Sequence, residues 1–432
     1  MDFAGFNFSK KEKRTIILAV TIGNLLEWYE IFLYVYWSPI IANLFFNSET
    51  ELLNLTNAFL IFAVGFLARP LGGLFFGRLG DLIGRKKSLI WSIGMMIVPT
   101  FVTGFLPTRA QIGWIAPLLL GIMRFLQSFP AGGELPGGAC YLYESSPLSK
   151  RRYMCSWGSL GFQLGMLIAT VECFFLEKYL EPAALLNWGW RLSFIVGGLL
   201  GLFGLLLRSR LHETPLYREM ETHERIAKES ILTVIKNYKG RMLKAILFCA
   251  LNSAAFYLLT VEFPVYFGKV LGIKYSDNLI ISMFLLVLIT IPLPFFGKLG
   301  DKFNNRKILI SATLGIIALL YPLYLSINHS SWIFMGIVFV FFSLLTTCIS
   351  ALLPFILSEL FPTRVRFTCM AVGFNLADAV IGGFTPAIVL YLLFLTGNRG
   401  SFCAWLLICA LFSLFAFLKM KEPKHSHENG KG

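Results

Sequence analysis

The sequence predicts an all-α polytopic membrane protein with twelve transmembrane helices in two six-helix pseudo-repeats. Three observations predict this fold class. The mean hydropathy is +0.70, and only 14% of the residues are charged, whereas about a quarter of a soluble domain is charged. Twelve apolar segments are long enough to cross a bilayer. A Gly-rich basic hairpin follows the second segment and recurs at the matching point of the second half.

The apolar segments are identified by length, because about 20 apolar residues span a bilayer as a helix. They cover residues 15–41, 54–76, 88–107, 112–143, 153–177, 190–208, 242–268, 277–297, 308–327, 331–357, 367–395 and 400–418. A short basic lead precedes the first segment and no small-residue cleavage site follows it. We therefore expect the first segment to be an uncleaved helix.

Two landmarks indicate a duplicated bundle. The hairpin at 77–87, GRLGDLIGRKK, has a degenerate copy at 297–307, 220 positions later. An acidic-Pro-basic turn beginning at Glu144 recurs at Glu359, 215 positions later. Matching landmarks predict parallel six-helix repeats around a central cavity, a known transporter architecture with sites near the midplane. The predicted parts are an N-terminal bundle (1–208), a cytoplasmic linker (209–241), a C-terminal bundle (242–418) and a cytoplasmic tail (419–432).

The positive charge is interpreted as topological. The net charge of +14 is also typical of nucleic-acid-binding proteins, but 30 of the 38 Lys and Arg residues fall on one side if the spans alternate, and five on the other. By the positive-inside rule, both termini are expected in the cytoplasm. We expect a multi-pass protein of the cell (inner or plasma) membrane without a nucleic-acid partner. The eight cysteines lie in predicted spans without CxxC pairs, so we expect apolar packing and no metal site.

Several motifs in a fixed order resemble those of one transporter family. They lie at residues 23–30 (GNLLEWYE), 69–73 (RPLGG), 124–127 (RFLQ), 132–134 (GGE), 188–191 (WGWR), 213–215 (ETP), 359–366 (ELFPTRVR) and 374–375 (FN). The chain resembles the metabolite:proton symporters of the major facilitator superfamily, which include proline/betaine, α-ketoglutarate, citrate and shikimate permeases. The resemblance implies that a small organic solute crosses the lipid bilayer with protons, driven by the proton gradient and without a cofactor. We expect a monomer.

The repeated hairpin is expected to act as a gate. In the wider superfamily the matching Asp and Arg hold one conformation closed on the cytoplasmic side, with a carboxylate facing a helix N-terminus. By resemblance, Asp81 and Arg85 would do this in the first half. Asp301 is the gate candidate of the second half, but Asn305 stands where the first copy has arginine. This difference argues against an equivalent contact there, so the first half is expected to hold the gate.

Charges at membrane depth are costly, so the few in the spans are the functional candidates. Glu27 lies about 18 Å along the first span and Glu30 one turn further, which puts both near the midplane on one helix face. A buried carboxylate without a cation is driven towards its neutral form, so it can take up and release protons. Both glutamates are predicted to couple protons to transport. Alternatively, one of them is the structural partner of an arginine.

Arg124 lies about 15 Å inside the fourth span. Guanidinium cannot lose its proton, so Arg124 must pair with Glu27, Glu30 or a bound carboxylate. Arg124 and the neighbouring Gln127 are predicted to bind solute; the alternative is a static ion pair. Aromatic candidates for a cage around a quaternary ammonium are Trp28, Tyr29, Phe32, Tyr34, Tyr36 and Tyr257. Tyr29 is the predicted solute contact among them.

Three further polar residues each have two interpretations. Glu134 lies in a Pro- and Gly-rich stretch of the fourth span, and it either relays protons inward or belongs to a buried structural pair. Asp378 lies about 18 Å into the eleventh span, where related permeases usually have an uncharged residue. It either hydrogen-bonds across a helix seam, or it faces the cavity, where it recognises a cationic part of the solute or forms part of a proton path. Asn375, one turn earlier, is the other predicted solute contact there.

The sequence as a whole predicts a secondary active transporter that takes up a small organic carboxylate or zwitterion by proton symport and alternating access. An exporter of the same fold is the nearest alternative. A membrane receptor or enzyme is disfavoured because the sequence has no nucleophile–base constellation, metal cluster, phosphate loop or sizeable soluble domain. A zwitterion would use a carboxylate with the aromatics, whereas a di- or tricarboxylate would use Arg124, so the solute stays open.

Overall fold

The computed structural model describes residues 9–47, 50–223, 226, 229–264, 274–328 and 332–420, and within these ranges it contains helices but no strand. The long helices are α1 (Lys10–Phe45), α2 (Glu51–Ile83), α3 (Arg85–Thr103), α4 (Ile115–Glu144), α5 (Arg151–Tyr179), α6 (Trp190–Ser209), α7 (Ile231–Tyr257), α8 (Tyr275–Thr290 and Leu293–Lys302), α9 (Asn305–Asn328), α10 (Trp332–Leu360), α11 (Arg366–Ala377 and Thr385–Thr396) and α12 (Phe402–Leu418). Ten of them are long and apolar enough to cross a membrane. The other two, α3 and α12, have 19 and 17 residues. The prediction of twelve spanning helices is confirmed.

Local chemistry accounts for the helix ends. α1 begins behind Ser9, which forms a capping box with Glu12. Only Gly84 separates α2 from α3, and its φ of 107° is a conformation that favours glycine. The chain therefore reverses direction at the hairpin within a single residue.

Three helices differ from the continuous spans that the sequence predicts. α7 begins at Ile231, behind its N-cap Ser230, and so extends into the stretch predicted as linker. α8 is interrupted at Pro292, whose missing N–H breaks the helical ladder. α11 contains a widened π-type turn at Asp378–Gly382, a feature often found at functional sites.

Two equivalent pairs of helices join the two six-helix halves. α2 of the first half packs on α11 of the second, and α5 packs on α8. These two crossings match each other under the repeat, because α2 corresponds to α8 and α5 to α11. Both hairpins lie at the same end of the bundle, which we call the hairpin face.

The segment after α6 docks on the first hairpin. Glu213 accepts hydrogen bonds from the backbone N–H groups of Arg85 and Lys86, at 3.0 and 3.1 Å, in the first turn of α3. Burial raises the pKa of Glu213. The short helix Pro215–Thr222 follows, and the Tyr217 hydroxyl donates to the backbone of α2 at 2.7 Å. The start of the predicted linker is therefore fixed to the first half.

Small residues allow α2 and α4 to approach closely. A Cβ atom added at Gly72 would lie 1.5 Å from the carbonyl oxygen of Phe129, and one added at Gly132 would lie 1.9 Å from that of Arg69. Both neighbours are backbone atoms, so no side-chain rotation can relieve the overlap. Close backbone approach at small residues is a common basis of helix packing in membranes.

We expect Gly72→Ala to lower the melting temperature of the purified protein, because α2 and α4 must separate to admit the methyl group. The expected cost is about 1–3 kcal/mol. Gly94→Ala is the matched control, since a Cβ at Gly94 meets nothing within 4 Å. Equal melting temperatures for the two variants would contradict this account of the crossing.

Candidate functional site

Four buried side chains from both halves meet at the centre of the bundle; we call Glu27, Arg69, Tyr257 and Asp378 the central cluster. Arg69 of α2 donates from Nη2 to Oε1 of Glu27 on α1 at 2.5 Å. Its Nη1 lies 3.7 Å from Oδ2 of Asp378 on α11. The Tyr257 hydroxyl at the end of α7 donates to the same Asp378 oxygen at 3.4 Å. One guanidinium thus faces a carboxylate from each half.

The widened turn of α11 helps to form this arrangement. Asp378 is the first residue of the π-type segment, and Gly382 is its last. A Cβ at Gly382 would lie 2.5 Å from Cε2 of Tyr257, so glycine lets that ring approach the carboxylate. A second π-type segment, Leu258–Glu262, directly follows Tyr257. Both second-half members of the cluster therefore lie at local departures from regular helix.

A separate buried group lies within the first half. Arg124 pairs with Glu30 at 3.1 Å and also donates to Gln127 at 3.0 Å. The other Glu30 oxygen accepts from Thr100 at 2.5 Å, and Arg124 lies over the Tyr34 ring, 4.6 Å from its centroid. Of the partners considered for Arg124, the structure therefore selects Glu30, while Arg69 takes Glu27.

Glu134 pairs with Arg208, the last residue of the predicted span 190–208, which the sequence does not single out as a partner. Arg208 donates to both Glu134 oxygens, and Ser92 donates to one of them at 2.7 Å. A Cβ at Gly23 would overlap the Arg208 guanidinium, so glycine on α1 makes room for this pair. Both carboxylate oxygens of Glu134 are thus satisfied, which matches its structural-pair interpretation.

Two predicted solute contacts point elsewhere. The Tyr29 hydroxyl donates to Glu172 and to the Ser193 carbonyl, between α1, α5 and α6. The Asn375 amide donates to the Gly132 carbonyl at 2.6 Å and so joins α11 to α4. Neither residue lines the central cavity described next.

A cavity lies between the halves beside the central cluster. Its aromatic wall consists of Trp28, Phe162 and Phe256, which we call the aromatic trio, and its polar lining includes Asn252 and Asp378. The ring centroids of the trio are 5.2 to 5.7 Å apart. Among the described residues that line the cavity, Asp378 is the only charged one. A solute in this cavity would thus meet a negative group and π faces.

The hairpin face is held together by reciprocal contacts between the halves. Asp81 accepts from the backbone N–H groups of Phe367 and Thr368, at 3.2 and 2.9 Å, at the start of α11. Asp301 accepts from those of Arg152 and Tyr153, at 2.9 and 3.1 Å, at the start of α5. Carboxylates are favourable at helix N-termini because they satisfy unpaired N–H groups and face the positive end of the dipole.

The expectation that the first half is the main holder of the gate differs from this geometry. The expectation assumed that an arginine is needed, yet the carboxylate of Asp301 binds backbone N–H groups and so requires none. Arg85 has a different main partner: its Nε donates to Glu144 at 3.0 Å, and Arg366 of α11 donates to the same carboxylate at 2.7 Å. Sequence analysis noted Glu144 only as a turn marker, although its place in the repeated turn was a usable signal.

Comparison with known proteins agrees with this architecture. The family model of the Major Facilitator Superfamily matches residues 20–368 and 278–432. The citrate-proton symporter of Klebsiella pneumoniae is 34% identical over 401 residues, which cover 93% of this chain and 90% of the relative. The proline/betaine transporter of Escherichia coli (strain K12) is 29% identical, over 95% and 83%. The solved proton:xylose symporter XylE, bound to 6-bromo-6-deoxy-D-glucose, has a TM-score of 0.78 at 16% identity, with 95% of each chain covered.

The matching family and the relatives are membrane transporters and not enzymes, which agrees with two helical halves around a buried charged cluster. The chain belongs to the Major Facilitator Superfamily. Its resemblance to the metabolite:proton symporters, predicted from the motifs, is confirmed.

Removing the Asp81 charge is expected to open the hairpin face. Asp81→Asn weakens the contact with the start of α11 by about 1–2 kcal/mol, which would raise the open population about five- to thirtyfold. Cys140 is buried behind this contact, beside Phe367, so its alkylation by a maleimide should speed up accordingly, as measured by peptide mass spectrometry. Cys409, buried in α12, is the internal control. Cys140 alkylation at the wild-type rate in Asp81→Asn would rule out this gate.

Proposed function

We propose that the protein is a proton-coupled symporter that imports a small organic solute by alternating access. The proposed site of action is the cell (inner or plasma) membrane, with the hairpin face and both termini in the cytoplasm. Support comes from the names of the relatives, which include proton symporters, and from the concentration of Lys and Arg in the segments on the hairpin side. A monomer is the proposed unit.

The single observation that carries proton coupling is the unequal pairing of the buried glutamates. Glu27 is 1% exposed, and its Oε2 atom has no hydrogen-bond partner among the described residues. Both oxygens of Glu30 and of Glu134 accept hydrogen bonds. Burying an unpaired carboxylate oxygen is costly, and a proton on that oxygen removes the charge. We therefore assign proton uptake to Glu27.

The remaining predicted residues take supporting roles in this proposal. Arg124 and Gln127 hold Glu30 in place and so fix the face of α1 that carries Glu27. Glu134 and Arg208 hold α4 to α6. Of the residues predicted to bind solute, Asp378 is the one that lines the cavity.

Coupling follows from the position of Arg69 between the halves. With Glu27 ionised, Arg69 is drawn to the first half at 2.5 Å, and its distance to Asp378 is 3.7 Å. A proton on Glu27 weakens the first attraction, so Arg69 is free to bind groups from the second half or from the solute. Proton uptake therefore changes the contacts across the seam along which the halves move.

Glu27→Gln is expected to abolish uphill uptake while solute exchange persists, because the amide stays neutral and cannot release a proton. The measurement uses the full chain in proteoliposomes with an inward proton gradient, with radiolabelled glycine betaine and radiolabelled citrate as parallel test solutes. The internal solute concentration should rise only to the external concentration, whereas exchange of internal for external solute (counterflow) should continue.

Glu181→Gln is the matched control, since Glu181 is an exposed glutamate of the same half. It should accumulate solute like the wild-type protein. The assignment of Glu27 fails if Glu27→Gln still accumulates solute and an uncoupler collapses that accumulation.

A further inference from the structure

The central cluster carries one more negative than positive group. Glu27 and Asp378 contribute two carboxylates and Arg69 one guanidinium, and the three side chains are at most 7% exposed. An unbalanced charge at this depth is costly. One proton on Glu27 makes the cluster neutral, so a solute that carries no net charge can enter without leaving a charge unbalanced.

Arg69 has hydrogen-bond donors to spare. A guanidinium has five N–H groups, yet the Nε and Nη1 atoms of Arg69 have no hydrogen-bond partner among the described residues. The 3.7 Å between Nη1 and Asp378 is too long for a hydrogen bond. Arg69 does not itself line the cavity, but Asp378 does. Because Nη1 lies 3.7 Å from Asp378, the unused donors are close to the cavity, and they suit a planar carboxylate.

Whereas Arg69 suits a carboxylate, the cavity wall suits a cation. The aromatic trio offers π faces to a cation, and Asp378 adds the negative charge on the same wall. Asn252 contributes an Oδ1 atom that has no hydrogen-bond partner among the described residues. Such a wall therefore favours the binding of an ammonium group and disfavours the binding of an additional carboxylate.

We propose that the transported solute is a zwitterion without net charge, with its ammonium group against Asp378 and the aromatic trio and its carboxylate on the free donors of Arg69. This inference rests on the proposed function, because it requires the proton on Glu27 that makes the central cluster neutral. With one proton bound, the loaded site is neutral. A tricarboxylate in the same place would bury three uncompensated negative charges, which the lining does not balance.

The test is binding to the purified full chain in detergent, measured by calorimetry, with glycine betaine, tetramethylammonium, acetate and citrate as ligands. Glycine betaine should bind most tightly and tetramethylammonium more weakly, and citrate and acetate should bind at least about tenfold more weakly than glycine betaine. Citrate binding as tight as glycine betaine, or no binding of glycine betaine, would overturn the proposal.

Two variants test the assigned groups. Asp378→Asn should weaken glycine betaine binding about tenfold or more, with no gain for acetate, and Glu181→Gln should leave it unchanged. If Asp378→Asn does not fold, Phe256→Leu, which keeps an apolar side chain but removes a π face, should weaken glycine betaine and tetramethylammonium together. Unchanged binding in the folded variants would overturn the assignment of the wall.

The two proposals can fail separately. Proton-driven citrate uptake by a protein that does not bind glycine betaine would refute the zwitterion and leave proton symport standing. Glycine betaine binding as expected, without accumulation under an inward proton gradient in proteoliposomes, would refute proton symport and leave the solute class standing.

Discussion

The structure depends on one constraint, which is that Arg69 is buried and cannot lose its charge. Arg69 is 3% exposed, and a guanidinium at this depth requires carboxylates; here they come from α1 in one half and α11 in the other. The backbone of Arg69 also lies against Gly132 of α4, where a side chain would not fit. Helix packing, cavity position and contact between the halves are therefore fixed around the same residue.

The contacts at the hairpin face differ from the central cluster, because each carboxylate there binds backbone N–H groups and needs no charged side chain as a partner. Asp81 and Asp301 each bind the first N–H groups of a helix in the opposite half, so each half satisfies groups that the other leaves unpaired. Each such cap contributes about 0.5–2 kcal/mol. Contacts of this size are comparable to the few kcal/mol that separate the conformations of a two-state protein.

Much of the fold could be predicted from sequence, because hydropathy and charge along the chain determine which segments enter the membrane. The partners of the buried charges could not, because pairing depends on how each helix is rotated. Trp28 and Tyr29 are neighbours, yet one faces the cavity and the other faces α6, since successive residues point about 100° apart. Arg208 is the last residue of a predicted span, and nothing in the sequence indicates that it is fully buried against Glu134.

The docking of the segment after α6 bears on where this chain can be divided. Glu213 caps α3, and Thr214 donates to Glu144 at 2.7 Å, so residues beyond the last helix of the first half complete the hairpin of that half. Two polypeptides separated at Ser209 would leave this capping segment on the wrong fragment. A division after Thr222 would keep it with its partner, so the functional border between the halves lies beyond the border suggested by the helices.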